Sequence, residues 1–245
     1  MDLTERRAGA YRHPWEVQRF EAYRRILADH GALDAHRVLD VGSGDGWFTD
    51  SLADSLPADT ETVCWDVNYS ESDLEAARPG VVRTRDRPSS GYDLVLALDV
   101  LEHVDDPVAL IRDELAPLTT AGTQVMVAAP AYQRLFSAHD RALGHHRRYG
   151  RRELDDQLAP WIESVERGSL FTSLLPLRAA QVAVERIRER PALEADHGVG
   201  GWDAGSTVTS ATNAALRADA RTSRWLSRHG IRLPGLSHWV IGVVR

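Results

Sequence analysis

Three glycines at alternating positions are the residues of this chain best suited to hold a ligand. Gly42, Gly44 and Gly46 follow a short apolar segment, residues 38–41, and precede apolar residues at helical spacing. Glycine lets a backbone approach a ligand where a Cβ would collide with it, and the start of a helix offers unpaired N–H groups. The arrangement predicts a strand, a binding turn and a helix that hold a nucleoside-type cofactor.

Two carboxylates near this turn indicate which nucleoside it would hold. Asp66 lies twenty residues after Gly46, at the end of a second apolar run, where an acid can accept hydrogen bonds from both hydroxyls of a ribose. Asp40 lies two residues before Gly42, suits a cationic or amino-bearing ligand, and would repel a pyrophosphate at short range. The glycine spacing also differs from the G-x-G-x-x-G of dinucleotide sites. A nicotinamide-dependent oxidoreductase remains an alternative.

These segments resemble the class I S-adenosylmethionine-dependent methyltransferases, in particular their bacterial small-molecule branch. Residues 38–46 match the first motif of the family, Asp66 matches its ribose-binding acid, and residues 93–104 match its fourth strand and the cofactor-contacting segment that follows. The resemblance implies S-adenosyl-L-methionine as the cofactor. It also implies these cofactor-binding residues: Asp40, Gly42, Ser43, Gly44, Gly46, Asp66, Val67, Asp86, Asp99, Val100 and His103.

The role of Asp86 has an alternative. In the resembled family an acidic or polar side chain at this position often meets the adenine amino group. Arg85 and Arg87 flank Asp86, however, so simple surface ion pairing would account for it as well.

A polar, histidine-rich segment, residues 136–149, follows the predicted fifth strand. We call it the histidine segment. A segment of this form recurs in a bacterial subgroup that resembles this chain, and its position faces the acceptor in the wider family. Methyl transfer to a hydroxyl or amine requires an aligned nucleophile, exclusion of water and removal of a proton, and histidine is the natural base near neutral pH. We therefore predict His139, His145 or His146 as base or substrate ligand, with Arg148 and Tyr149 orienting an anionic or hydroxylated acceptor.

The histidine segment could also be purely structural or bind a metal. Helix caps and surface ion pairs would make it a structural loop. A metal site is disfavoured, because the adjacent His145 and His146 cannot easily point the same way, and no metal is expected. His103, which lies outside this segment, is expected to contact the cofactor first and to act as a base only secondarily.

The predicted function is methyl transfer to a small-molecule acceptor, as O- or N-methylation, by in-line displacement with histidine-assisted deprotonation. A non-catalytic protein that binds S-adenosylmethionine or its product shares the glycine motif and remains the main alternative. A DNA amino-methyltransferase is disfavoured. Residues 98–101 read Leu-Asp-Val-Leu where that class needs an Asn/Asp-Pro-Pro-aromatic motif after the fourth strand.

Apolar segments that alternate with helical patterns position these residues. The alternation predicts an α/β fold with a doubly wound, mostly parallel seven-stranded sheet. In such sheets the ligand lies outside the carboxyl ends of the strands, where the motifs described above would converge. The predicted strands are residues 37–41, 62–67, 81–84, 92–97, 123–128, 162–170 and 238–244.

Two further segments flank the predicted sheet. Residues 1–35 would form an N-terminal helical cap, and residues 36–245 the cofactor-binding domain. Trp15, near the start of the cap helix with Arg12, would contact substrate near the methionyl end of the cofactor, with packing and capping as the alternative. A helical insertion, residues 172–232, precedes the last strand and would serve as a lid or a dimer surface.

Composition limits the class of protein. The net charge of −7 argues against non-specific binding of nucleic acid. The single cysteine, Cys64, lies within an apolar strand, which excludes a disulfide framework and indicates a reducing compartment, the cytoplasm. A monomer or a homodimer is expected.

The sequence also bears on contact with membranes. No segment has the run of about 18 apolar residues that a spanning helix needs, and no apolar core follows the charged residues 1–7, as a signal peptide requires. Four arginines of the insertion share one helix face: Arg217, Arg221, Arg224 and Arg228. This face is expected to be solvated, and peripheral contact with an anionic membrane surface or a phosphate-bearing substrate is the alternative.

Overall fold

Seven strands form one sheet in the computed structural model, which describes residues 12–188, 202 and 204–245. The sheet order is β3-β2-β1-β4-β5-β7-β6, and β7 alone runs antiparallel to its neighbours. The prediction of a doubly wound, mostly parallel seven-stranded sheet is therefore confirmed. The strands are β1 (Arg37–Val41), β2 (Glu61–Trp65), β3 (Val81–Thr84), β4 (Leu94–Leu98), β5 (Gln124–Pro130), β6 (Ile162–Leu170) and β7 (Ser237–Val244).

Helices cover both faces of this sheet. In the described part of the chain they are α1 (Pro14–Asp29), α2 (Trp47–Leu52), α3 (Glu71–Glu75), α4 (Pro107–Ala109), α5 (Ala138–Ala142), α6 (Arg151–Leu158), α7 (Leu175–Arg188) and α8 (Ser206–Arg228). A π-helical turn, Leu110–Leu115, continues α4. None of the helices within the described ranges is long and apolar enough to cross a membrane.

The hydrophobic core lies on both faces of the sheet. On one face Leu96 and Met126 belong to a cluster that includes residues of α1 and α8. On the other face Val95 and Val127 belong to a cluster that includes the π-helical turn and α6. All five residues of β4 are buried, as expected for a central parallel strand covered on both sides.

The insertion supplies α7 and α8 between β6 and β7, while residues 189–201 and 203 of it, like residues 1–11 of the predicted cap, lie outside the described ranges. α8 packs against α1 and β6. Its Arg224 donates to both carboxylate oxygens of Glu166, each at 3.0 Å, and to Asp29 at 2.6 Å. Arg228 contacts the same two acids. Arg217 donates to Gln18 of α1 at 3.4 Å. Three of the four arginines on the face expected to be solvated therefore hold α8 against its neighbours.

Candidate active site

The glycine turn lies at the carboxyl end of β1, at the centre of the sheet. The φ angles of Gly42, Gly44 and Gly46 are 60°, 56° and 74°, in the left-handed region that favours glycine. A Cβ on Gly42 would lie 2.8 Å from Cγ2 of Val100 in the segment after β4. Only glycine therefore allows these two loops to meet, which forms the cradle that a cofactor at this edge requires.

Asp66 is held against this cradle from the end of β2. Its carboxylate accepts hydrogen bonds from the N–H of Gly44 at 3.0 Å and of Asn68 at 2.9 Å. A carboxylate has about four acceptor positions, so both oxygens can still accept a hydroxyl hydrogen. The position fits the predicted contact with a ribose.

Asp40 lies beneath the glycine turn as a buried carboxyl group. The Thr49 hydroxyl donates to it. Burial raises the pKa of Asp40 to about 6, and the charges of Asp66 and Asp45 act in the same direction. A positively charged ligand nearby would favour the ionised form of this group.

Two arginines close the cradle, Arg12 just before α1 and Arg19 within it. Arg12 forms an ion pair with Asp45 of the glycine turn, and Arg19 forms one with Asp99 at the end of β4. Asp99 is held with a positive φ of 58°. The indole ring of Trp15 lies against the guanidinium of Arg19, with 4.5 Å between the ring centroid and Cζ of Arg19. The structure thus places Trp15 at the predicted edge.

Sequence reasoning missed Arg19. A signal was available, because Arg19 falls on the face of α1 that also carries the buried Phe20 and Tyr23. A cation on the apolar face of a helix requires a partner, since an unpaired buried charge is costly.

Two predicted cofactor residues lie on the surface. Val67 follows β2 in a turn and is 68% exposed, because β2 ends at Trp65 and not at residue 67 as predicted. Asp86 is exposed after β3. The expected ion pairs of Asp86 with its neighbours are absent from the described residues, since Arg85 pairs with Glu71 and Arg87 with Glu114.

The histidine segment centres on a buried carboxylate, Asp140. Its Oδ1 accepts from Arg148 Nε at 2.6 Å and lies 3.2 Å from His145 Nδ1. Its Oδ2 accepts from Arg178 Nη2 of α7 at 3.0 Å. Burial opposes the charge, but hydrogen bonds from His145 and Arg148 and the arginine charges hold the pKa of Asp140 well below its usual range. Asp140 is therefore an ionised acceptor that orients His145.

The other two histidines of this segment have different surroundings. His146 Nδ1 lies 3.0 Å from Asp105, and both side chains are largely exposed. His145 and His146 therefore approach different carboxylates, as expected for adjacent residues. Burial, followed by the charge of Arg178, lowers the pKa of His139, so this imidazole is neutral at pH 7.

Tyr149 lies beneath the surface of the site. Its side chain is fully buried and its hydroxyl donates to the carbonyl of Leu101 at 2.9 Å. Burial raises the pKa of Tyr149 above its usual value. This side chain holds the segment to the loop after β4. Arg148 is also buried, and its guanidinium is engaged by Asp140.

A donor set that sequence reasoning missed lies between these two loops. The ligand atoms of Glu102, His103 and His145 all lie within 4.8 Å of one another, and the two imidazole rings meet edge to face at 4.6 Å. Burial and the charge of Asp99 raise the pKa of Glu102 well above its usual value. Two imidazoles and a carboxylate are donors that divalent cations accept. The sequence argument against a metal considered only adjacent histidines, whereas the tertiary structure pairs distant ones.

Comparisons with known proteins agree with this geometry. A family model described as a methyltransferase domain matches residues 15–164. A "Ubiquinone biosynthesis O-methyltransferase" of Paramagnetospirillum magneticum is 35% identical over 125 residues, which cover 45% of this chain and 50% of that protein. A protein of the same name from Parvibaculum lavamentivorans is 26% identical over 133 residues, 47% of this chain and 53% of that protein. The chain spans about half the length of these curated relatives.

Solved structures show the same fold. A putative sarcosine dimethylglycine methyltransferase from Galdieria sulphuraria superposes with a TM-score of 0.55 at 12% identity, covering 97% of this chain and 91% of that one. The family model covers more than half of the chain, and the glycine cradle with Asp40 and Asp66 fits the family's cofactor, S-adenosylmethionine. The chain belongs to the class I S-adenosylmethionine-dependent methyltransferases.

Proposed function

We propose that this protein transfers a methyl group from S-adenosylmethionine to an oxygen or nitrogen atom of a small-molecule acceptor. The observation that carries the proposal is the Asp140–His145 pair beside the segment that follows β4. The cofactor supplies a methyl group already activated by a positively charged sulfur. The residues of the chain must hold the cofactor, align the acceptor, exclude water and remove a proton.

His145 is the residue best placed to remove that proton. Because Asp140 is an ionised acceptor, the Nδ1 of His145 must carry the hydrogen in their contact. In the neutral imidazole this leaves Nε2 with a free lone pair, the arrangement required of a general base. His139, neutral at pH 7, is the second candidate for this role.

The cofactor would be held by residues at the ends of β1, β2 and β4. We propose that Asp66 accepts the ribose hydroxyls and that the Gly42–Gly46 backbone lies against the nucleoside. Asp40 and Asp99 supply negative charge for the methionyl ammonium and the sulfonium. The names of the curated relatives support an oxygen acceptor over nitrogen.

The class of acceptor, the cellular compartment and the oligomeric state form part of the same proposal. The acceptor is a small molecule and not a nucleic acid, in keeping with the net charge of −7. The enzyme works in the cytoplasm as a monomer or a homodimer. The alternative is a protein that binds S-adenosylmethionine without turnover.

Transfer of labelled methyl groups tests the proposal. The purified protein is incubated with methyl-labelled S-adenosylmethionine and a panel of phenols, catechols and amines, and labelled product is separated by chromatography. His145→Gln should lower kcat by roughly 10²–10⁴-fold, the usual contribution of a general base, with unchanged affinity for S-adenosylhomocysteine. His146→Gln is the matched control and should retain activity. Tight binding of the cofactor with no labelled product from any acceptor would support the non-catalytic alternative.

A further inference from the structure

Arg178 lies in the first turn of α7 and reaches the histidine segment. Its Nη2 donates to Ser137 Oγ at 2.7 Å and to Asp140 Oδ2 at 3.0 Å. A guanidinium carries five N–H donors in a planar fork, and both of these hydrogen bonds use the same nitrogen. Nε is buried without a partner among the described residues. Donors of this guanidinium therefore remain available to a ligand.

Arg178 shares its carboxylate partners with other arginines. Asp140 is shared by Arg148 and Arg178, and Glu185, the other carboxylate that acts on Arg178, also lies 3.7 Å from Arg141. Burial and the charge of Arg148 lower the pKa of Arg178, as expected where like charges crowd in a partly dry site. Neither carboxylate is therefore reserved for Arg178, since Arg148 shares Asp140 and the 62% exposed Arg141 shares Glu185.

His139 adds no charge beside Arg178. Burial and Arg178 itself favour the neutral form of His139. The side chain of Arg178 is 16% exposed, so it is not sealed from the surface.

We propose that Arg178 binds the anionic group of an acidic acceptor, of which a carboxylate is the simplest form. The inference rests on the proposed function, since it names the acceptor class for the same site. It assigns to the insertion the role of acceptor recognition that the sequence had assigned to Arg148 and Tyr149. The side chain of Arg148 is occupied by Asp140, whereas Arg178 has donors to spare.

Paired titrations with benzoate and benzamide, which share a shape and differ in charge, test this proposal. The readout is calorimetric binding to the protein saturated with S-adenosylhomocysteine, so that no turnover is needed. Benzoate should bind at least about tenfold more tightly than benzamide, because charge-assisted hydrogen bonds are about twice as strong as neutral ones. Arg178→Gln should remove the preference, and Arg178→Lys, which retains the charge, should keep part of it.

Arg186→Gln is the matched control. Arg186 also joins α7 to the rest of the protein, by donating to the carbonyl of Arg134 at 2.7 Å, but it lies on the surface. This variant should keep the preference for benzoate. Equal binding of the two ligands, binding of neither, or a preference that survives Arg178→Gln overturns the proposal. A preference for benzoate that depends on Arg178, without methyl transfer to any acceptor of the panel, would retain the anion-binding site and overturn the proposed function.

Discussion

Two buried aspartates of this site differ because their partners differ. Asp40 has a hydroxyl donor and other carboxylates nearby, so burial dominates and raises its pKa to about 6. Asp140 is at least as buried, but two arginines and a histidine surround it and hold its pKa well below the usual range. One residue type therefore serves as a titratable ligand near the cofactor turn and as a permanent anion beneath His145.

The raised pKa of Asp40 predicts a pH dependence of cofactor binding. Below about pH 6 the carboxyl group is protonated and loses its attraction for a positively charged ligand. Affinity for S-adenosylmethionine should therefore weaken as the pH falls through this value, as calorimetry between pH 5 and 8 would measure. Asp40→Asn should bind S-adenosylmethionine more weakly, and its affinity should depend less on pH. If the affinity of this variant changed with pH as in the wild type, Asp40 would not be the source of the pH dependence.

The Asp40 carboxyl also affects the free energy of unfolding of the protein without ligand. Here the protonated form is the favourable one, whereas cofactor binding favours the ionised form. The pKa of Asp40 is raised in the folded state, so its contribution to stability is fully present below the unfolded value. That contribution is lost as the pH rises through about 6.

At the scale of elements, the sheet provides the cradle and the flanking helices provide the charges around it. α1 contributes Arg19 to the cofactor edge, and Arg12, just before this helix, lies at the same edge. α7 contributes Arg178 to the histidine segment. α1 is in turn held by α8 through the shared acids Glu166 and Asp29. Displacement of α8 would therefore affect both the fold and the cofactor edge.

Arg224→Ala tests this connection. Burial opposes the charge of Glu166, but hydrogen bonds from Arg224, His30 and Arg228 lower its pKa to about 2. Loss of Arg224 should reduce the free energy of unfolding by about 1.5–3 kcal/mol at neutral pH, the contribution of a charged hydrogen bond. In the wild type the contribution of Glu166 is present above its unfolded pKa and is lost as the pH falls toward 2.

Urea denaturation measures the change, with Arg221→Ala as the control. Arg221 lies on the same face of α8, is exposed, and has no ion pair among the described residues. Its substitution should change the free energy of unfolding by less than about 0.5 kcal/mol. If Arg221→Ala lost as much free energy of unfolding as Arg224→Ala, the total positive charge of this helix face would stabilise α8, and not the ion pairs with Glu166.

At the scale of the whole molecule, we predict that S-adenosylhomocysteine, the demethylated product of the cofactor, raises the thermal unfolding temperature and that NAD does not. S-adenosylhomocysteine at 100 times its Kd should stabilise the protein by about 2.7 kcal/mol. This corresponds to a rise in Tm of roughly 5–10 °C for a chain of this size. NAD at the same concentration should leave Tm unchanged, because Asp40 and the glycine spacing disfavour a pyrophosphate. A larger shift with NAD would contradict the assigned cofactor.

The sequence by itself determined the order of strands and helices and the identity of the cofactor turn. Apolar periodicity and glycine spacing are local properties, so the bounds of β1, β3 and β6 were predicted to the residue. Gly44 and Asp66 likewise meet where two parallel strands end. Only the tertiary structure decided which side chains lie together around the histidine segment. Asp140 accepts a hydrogen bond from Arg178 of α7, and the imidazole rings of His103 and His145 are in contact. The buried Tyr149 donates to the carbonyl of Leu101. The energies of these contacts depend on burial and on partners distant in sequence, which spacing along the chain does not encode.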